Sequence, residues 1–271
     1  MISELFHIGP ISIYSYGVCM ATGFLLAWTL AGRLCRKNGD DPDFLSPLIT
    51  WIMVGSILGA RIAYVLEHWT VEFQEYPMNV FRLDQGGLMF YGGFIGAALV
   101  IFLFSCVTKR KVFGITDLLL AVLPIGHAFG RVGCFLHGCC FGFRTDGVWG
   151  VCFPARSPAW AEQVKAGLLS MQATSSLPVL PTQLIEAAAN LLLFAVLFTL
   201  YPRCCARRGV LTGMYLCGYS VIRFFMEYLR GDPRLPVGPF SIGQAISIGL
   251  FLLGAVILFL VSRMRQEPYV R

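Results

Sequence analysis

Apolar residues in this chain run in long blocks separated by short polar joints. The blocks lie near residues 15–35, 44–66, 87–107, 115–137, 180–201, 210–229 and 241–262. About 20 apolar residues, each rising 1.5 Å, cross the hydrocarbon core of a bilayer, so each block predicts a transmembrane helix. The pattern as a whole predicts an all-α polytopic membrane protein with seven transmembrane helices, built as a single domain over residues 1–271. The first block has no basic region before it and no small-residue cleavage pattern after it, so it reads as a retained span. No internal repeat or low-complexity tract interrupts the series. The joint from Phe143 to Val179 is the longest, and its Pro and Ser content predicts irregular structure.

Composition agrees with the blocks. With 56% hydrophobic and 13% charged residues the chain is too apolar for an ordinary soluble domain. The net charge of +6 matters through its placement. Arg33, Arg36, Lys37, Lys109, Arg110, Lys111, Arg203, Arg207, Arg208, Arg263, Arg265 and Arg271 fall on one side of the predicted topology. Arg82, Arg144, Arg156, Lys165, Arg230 and Arg234 fall on the other, despite its longer joints. Basic residues concentrate on the cytoplasmic side, which predicts an outside N-terminus and a cytoplasmic C-terminus. Because they are dispersed in short joints, they exclude a nucleic-acid surface; attraction to anionic membrane lipid is a secondary role.

Three basic residues remain, and all of them lie inside predicted helices: Arg61, Arg131 and Arg223. An arginine at the bilayer centre costs about 2.5–3.5 kcal/mol on insertion scales, so such groups normally face a cavity, a partner or a substrate. Given the predicted directions of the helices, these arginines share the outer half of the bilayer with Tyr91, Gln183 and Glu186. Tyr219, Arg223, Glu227 and Arg230 are spaced to occupy one helical face, as are Gln183, Glu186 and Asn190. The expectation is one polar cavity open to the outer leaflet. Arg223 and Glu227 pair within it, and positive charge left over from Arg61 and Arg131 suits an anionic lipid headgroup.

Glycines punctuate the same region. "GGLMFYGGFIG" (Gly86 to Gly96) opens the third predicted helix, and Gly126, Gly130, Gly133 and Gly138 mark the fourth. Small residues let membrane helices approach closely, and helix ends can also offer backbone N–H groups to an anion. Cys134, His137, Cys139 and Cys140 are compressed into one stretch, without the second ligand pair on a separate element that a structural zinc site uses. The expectation is therefore no metal and no cofactor. A disulfide from Cys139 or Cys140 to Cys152 is an alternative use of those thiols.

Four blocks carry a resemblance. "GRVGCFLHGCCFG" (Gly130 to Gly142), "GLMFYGGFIGA", "PTQLIEAAANL" and "GYSVIRFFMEYLR" resemble, in the same order, the motifs of the bacterial prolipoprotein diacylglyceryl transferases. The resemblance runs from "YSYGVCMATGF" (Tyr14 to Phe24) through the sixth predicted helix. It implies a seven-helix enzyme of the bacterial inner membrane that moves the diacylglyceryl group of phosphatidylglycerol to the lipobox cysteine of a preprolipoprotein. Glycerol phosphate is released and a thioether remains. It further implies that Arg131 binds phosphatidylglycerol and that Arg223 is a second essential arginine. Tyr16, Arg61, Asp117, Gln183, Glu186, Tyr219 and Glu227 match recurrent motif positions. This chain has Tyr91 before Gly92 and Gly93 where the family often has histidine. It has Cys134 where many members have asparagine, and Cys139 where many have an acid.

The chemistry asks for matching groups. A thiol has an ordinary pKa of about 8.5, so attack on the glycerol carbon requires its deprotonation. The leaving phosphate ester suits the donor fork of arginine, which makes Arg131 the headgroup-binding residue and Arg223 the leaving-group stabiliser. Tyr91 and His137 are the candidates for positioning and base roles, with Tyr91 favoured for positioning and the base open. A lipid transporter would need polar groups through both leaflets, whereas only Asp117 and His127 fall in the inner half. A thiol oxidoreductase would need a separated cysteine pair.

Overall fold

Residues 4–8, 11–82, 86–204, 206–231, 236–237 and 239–263 are described by a computed structural model. Arg234, Arg265, Arg271 and Cys205 lie outside the described residues. Each apolar block folds as a helix. These are α1 (Ser15–Lys37), α2 (Leu45–His68), α3 (Phe90–Thr108), α4 (Val112–His137), α6 (Thr182–Cys204), α7 (Val210–Leu229) and α8 (Ile242–Arg263). Six of them are long and apolar enough to cross a membrane; α7, which carries Arg223 and Glu227, is not among the six. The architecture is that of a helical, polytopic membrane protein.

Three short features depart from the sequence reading. An antiparallel hairpin, β1 (Glu4–Ile8) and β2 (Ile11–Tyr14), precedes α1, and a second, β3 (Pro236–Val237) and β4 (Phe240–Ser241), precedes α8. The joint from Phe143 to Val179, expected to be irregular, contains the helix α5 (Pro158–Lys165). Ser157 caps α5 through its side chain, which accepts from Trp160 N, with proline at the first helical position. Phe141, Phe153, Ala159 and Val179 form a small apolar core there. Gln163 adds a two-way clasp, donating from Nε2 to Leu177 O and accepting from Leu177 N. Pro and Ser content signalled turns correctly but carried no periodicity from which to see these long-range contacts.

The chain forms two compact units, one of residues 35–116 and one of residues 1–34 with 117–271. In the first, α2 and α3 pack through glycine. A Cβ on Gly92 would strike the carbonyl of Gly59, and one on Gly96 that of Gly55. The glycine block thus serves close helix approach, as small residues do in membrane bundles.

In the second unit, α7 begins on a buried carboxylate. Asp117, only 2% exposed, accepts from Gly209 N at 2.6 Å, Thr212 N at 2.7 Å and Thr212 Oγ1 at 2.7 Å. These contacts satisfy N–H groups that a helix start leaves without partners. Asp117→Asn turns one acceptor into a donor facing a donor. Its expected cost is about 1–3 kcal/mol, read as a lower melting temperature in detergent. Asp117 and Arg131 are separated by about 20 Å along α4, so activity per folded molecule is expected to persist.

Candidate active site

Apart from the Asp117 cluster, the polar groups singled out in the second unit gather at one end, where α4 and α7 finish and α1, α6 and α8 begin. The stretch after α4 holds these ends together. Gly142 N donates to Leu180 O at 2.9 Å, Phe143 N to Leu229 O at 3.1 Å, and Gly231 N to Phe141 O at 3.1 Å. Gly142 fits because a side chain there would meet Leu180 O, Leu229 O and Thr182 together. The last glycine of the signature therefore lets one strand of backbone bind the start of α6 and the end of α7.

The ion pairs of the described residues at this end include two that involve the predicted arginines. Arg131 Nη2 lies 3.0 Å from Glu186 Oε1, joining α4 to α6. Arg223 Nη2 lies 3.1 Å from Glu227 Oε2, one helical turn apart on α7. Tyr219 connects the pairs: it is hydrogen-bonded to Arg131 and lies within the field of both arginines and Glu186. Tyr219 stacks on Tyr215 at 5.7 Å, and its ring lies 5.0 Å from that of the part-buried His127. Tyr16, at the start of α1, packs on Gly133, where a side chain would press on the Tyr16 ring at 3.0 Å.

The second pair is braced from α8. Ser241 Oγ donates to Glu227 Oε1 at 2.7 Å while accepting from Gln244 N at 3.2 Å, and Gln244 Oε1 accepts from Ser241 N at 3.1 Å. This is a reciprocal capping box at the start of α8, and its serine also orients Glu227. The pattern Ser-Ile-Gly-Gln was the available signal for it. The buried polar atoms without a hydrogen-bond partner among the described residues include Arg223 Nη1 and Gln183 Oε1. Gln183 is 1% exposed, and its Nε2 donates to Cys139 O at 2.7 Å, which leaves the orphaned oxygen as a buried acceptor.

The expected surplus of positive charge takes a different form here. Arg131 and Arg223 are each matched by a glutamate, and Arg61 belongs to the other unit. Arg61 spends its donors on backbone carbonyls: Nε on Val80, Nη1 on Gly86 and Gly87, and Nη2 on Asn79 and Arg82, at 2.6–3.1 Å. Guanidinium has five N–H donors, so this set engages all five. Gly87, at φ +74°, lies where a side chain would strike the Arg61 Nη1 and the Tyr64 ring. Tyr91 also belongs to that unit, half exposed in the first turn of α3. His137 is exposed at the end of α4.

The three signature cysteines are free thiols, as is the exposed Cys152, so no bond joins Cys139 or Cys140 to Cys152. Hydrogen bonds from the Cys134 and Cys139 thiols, with Arg230 alongside, draw the Cys140 thiol below the ordinary thiol range. The same sulfur contacts push the Cys139 thiol up.

A helical, polytopic membrane protein that sets two part-buried arginines on buried glutamates at one end of its second unit carries charge that apolar spans seldom hold. Residues 3–260 match the family described as prolipoprotein diacylglyceryl transferase, and the chain belongs to that family of transferases. It is 33% identical over 265 residues to phosphatidylglycerol--prolipoprotein diacylglyceryl transferase 2 of Clostridium perfringens (strain 13 / Type A), covering 98% of this chain and 96% of that one. The enzyme of the same name from Xanthomonas oryzae pv. oryzae (strain PXO99A) is 33% identical over 280 residues, covering 98% and 92%. That of Nostoc sp. (strain PCC 7120) is 34% identical over 272 residues, again covering 98% and 92%.

Proposed function

We propose that this chain transfers the diacylglyceryl group of phosphatidylglycerol to the lipobox cysteine of a preprolipoprotein, the first step of lipoprotein maturation. The observation that carries the reading is the pair of part-buried arginines held on buried glutamates at one end of the second unit, with Arg223 Nη1 still uncommitted among the described residues. The family membership and the names of the relatives support the substrate class.

In the proposed reaction the cysteine thiolate forms a C–S bond to the terminal glycerol carbon as the C–O bond to phosphate breaks. Glycerol phosphate takes that electron pair, and the thiol proton leaves to a base. Arg131 binds the phosphate; Glu186, at 3.0 Å, fixes the plane of its guanidinium. Arg223 meets the charge that develops on the departing oxygen, and Glu227 with Ser241 holds it in place. Gln183 Oε1 suits a hydroxyl donor of the glycerol headgroup, and Tyr16 and Tyr219 line the same end. Arg61 acts as a positioning residue for the backbone of Asn79, Val80, Arg82, Gly86 and Gly87. For Tyr91 the reading rests on its place in the motif; Tyr91→Phe and His137→Ala, compared for transfer rate, decide which of the two supplies the base.

The distribution of basic residues supports a site in the outer leaflet of the bacterial inner membrane. The N-terminus is then outside, the C-terminus is cytoplasmic and α7 crosses the membrane as the sixth of seven spans. The decisive test incubates the purified protein with phosphatidylglycerol and a lipobox peptide and follows peptide mass. The expected result is a diacylglyceryl gain on the cysteine; no gain from folded protein overturns the proposal.

A further inference from the structure

The sulfur atoms of Cys134, Cys139 and Cys140 all lie within 4.8 Å of one another. Their meeting is produced by the turn that ends α4. Gly138 adopts φ +83°, and Gly138 N and Cys139 N both donate to Cys134 O, at 2.9 and 3.1 Å. This left-handed cap folds the following residues back over the last helical turn. Cys140 itself sits at φ +59°, an uncommon conformation for a residue with a side chain. Contacts from α6 hold it there: Thr182 Oγ1 donates to Cys140 O at 3.0 Å and Gln183 Nε2 to Cys139 O at 2.7 Å. Spacing in sequence made the three cysteines look too compressed for a metal. The reversal of direction at Gly138 supplies the separate element that the spacing lacked.

We propose that Cys134, Cys139 and Cys140 form a binding site for a thiophilic d¹⁰ cation, with zinc(II) as its representative. Zinc–sulfur bonds of about 2.3 Å place tetrahedral ligands about 3.8 Å apart, so the existing cluster needs a contraction of about 1 Å at most. Three thiolates and a divalent ion leave one negative charge, and Arg131 and Arg230 lie within electrostatic reach of the cluster to balance it. Hard cations find no oxygen cage in this set, whereas soft sulfur ligands select zinc or copper(I). A bound ion would tie the end of α4 to the backbone that joins α6 and α7. With three protein ligands it would also keep one coordination position open.

The test uses the full-length, reduced protein in detergent under anaerobic conditions, with cobalt(II) and zinc(II) as probes. Cobalt is expected to give a thiolate charge-transfer absorption that saturates at one ion per chain and is displaced by zinc. Replacing all three cysteines with serine removes the band, and Cys152→Ser keeps it. In the unmutated protein, zinc is expected to slow alkylation of the three clustered cysteines at least about tenfold, with no change at the exposed Cys152. The absence of a cobalt band, equal alkylation with and without zinc, or a disulfide among the three cysteines in the isolated protein each overturns the proposal. None of these readouts depends on transferase activity.

Discussion

Replacing Arg223 with lysine is expected to lower turnover about 10²–10³-fold, the typical loss when one donor to a developing oxyanion is removed. The geometry gives the reason. Arg223 divides its guanidinium, with Nη2 on Glu227 Oε2 at 3.1 Å and Nη1 without a partner among the described residues. Lysine keeps the positive charge but concentrates it on a single nitrogen. Glu227 has a side-chain exposure of only 4%, so that nitrogen stays with the buried carboxylate and the protein folds. What disappears is the second donor direction. If Arg223 stabilises the leaving phosphate only as the C–O bond breaks, kcat and kcat/KM fall together and KM for phosphatidylglycerol is nearly unchanged. The measurement is the initial rate of mass gain on the lipobox peptide across lipid concentrations, with a thermal melt as fold control. A raised KM at unchanged kcat would move Arg223 from leaving-group chemistry to ground-state binding.

How far such a site can be read from sequence depended on whether each partner lay within one helix. All seven helices were legible because block length is a local property, and their ends agree with the blocks within about four residues. The Arg223–Glu227 pair was legible for the same reason, being one turn apart on a single helix. Arg131 and Glu186 were both visible as intramembrane charges, but their pairing joins α4 to α6 and needed the fold. Arg61 shows the limit most plainly. Burial in an apolar block correctly marked it as a group with partners, yet its partners are the backbone carbonyls of Asn79, Val80, Arg82, Gly86 and Gly87, which carry no side-chain signal at all. Ser241 was missed although its capping box is written locally, because nothing in that box points across to Glu227 on α7.

Neutralising Arg131 tests whether the first ion pair is there for structure, for chemistry or for both. Arg131→Gln leaves Glu186, with 3% side-chain exposure, as a buried carboxylate without its cation. Breaking a buried pair on one side typically costs about 3–5 kcal/mol, so a large fall in melting temperature is expected, together with loss of transfer. Neither loss alone is informative, since an unfolded transferase is also inactive. The double variant Arg131→Gln with Glu186→Gln separates them. Two neutral amides restore hydrogen bonding between α4 and α6 without an unpaired charge, and most of the melting temperature is expected to return. Transfer is expected to stay lost, because glutamine offers the phosphate no charge and no second parallel donor. Recovery of transfer along with stability would mean that Arg131 serves only to hold Glu186, and the phosphate would then have to be assigned to Arg223 and its neighbours.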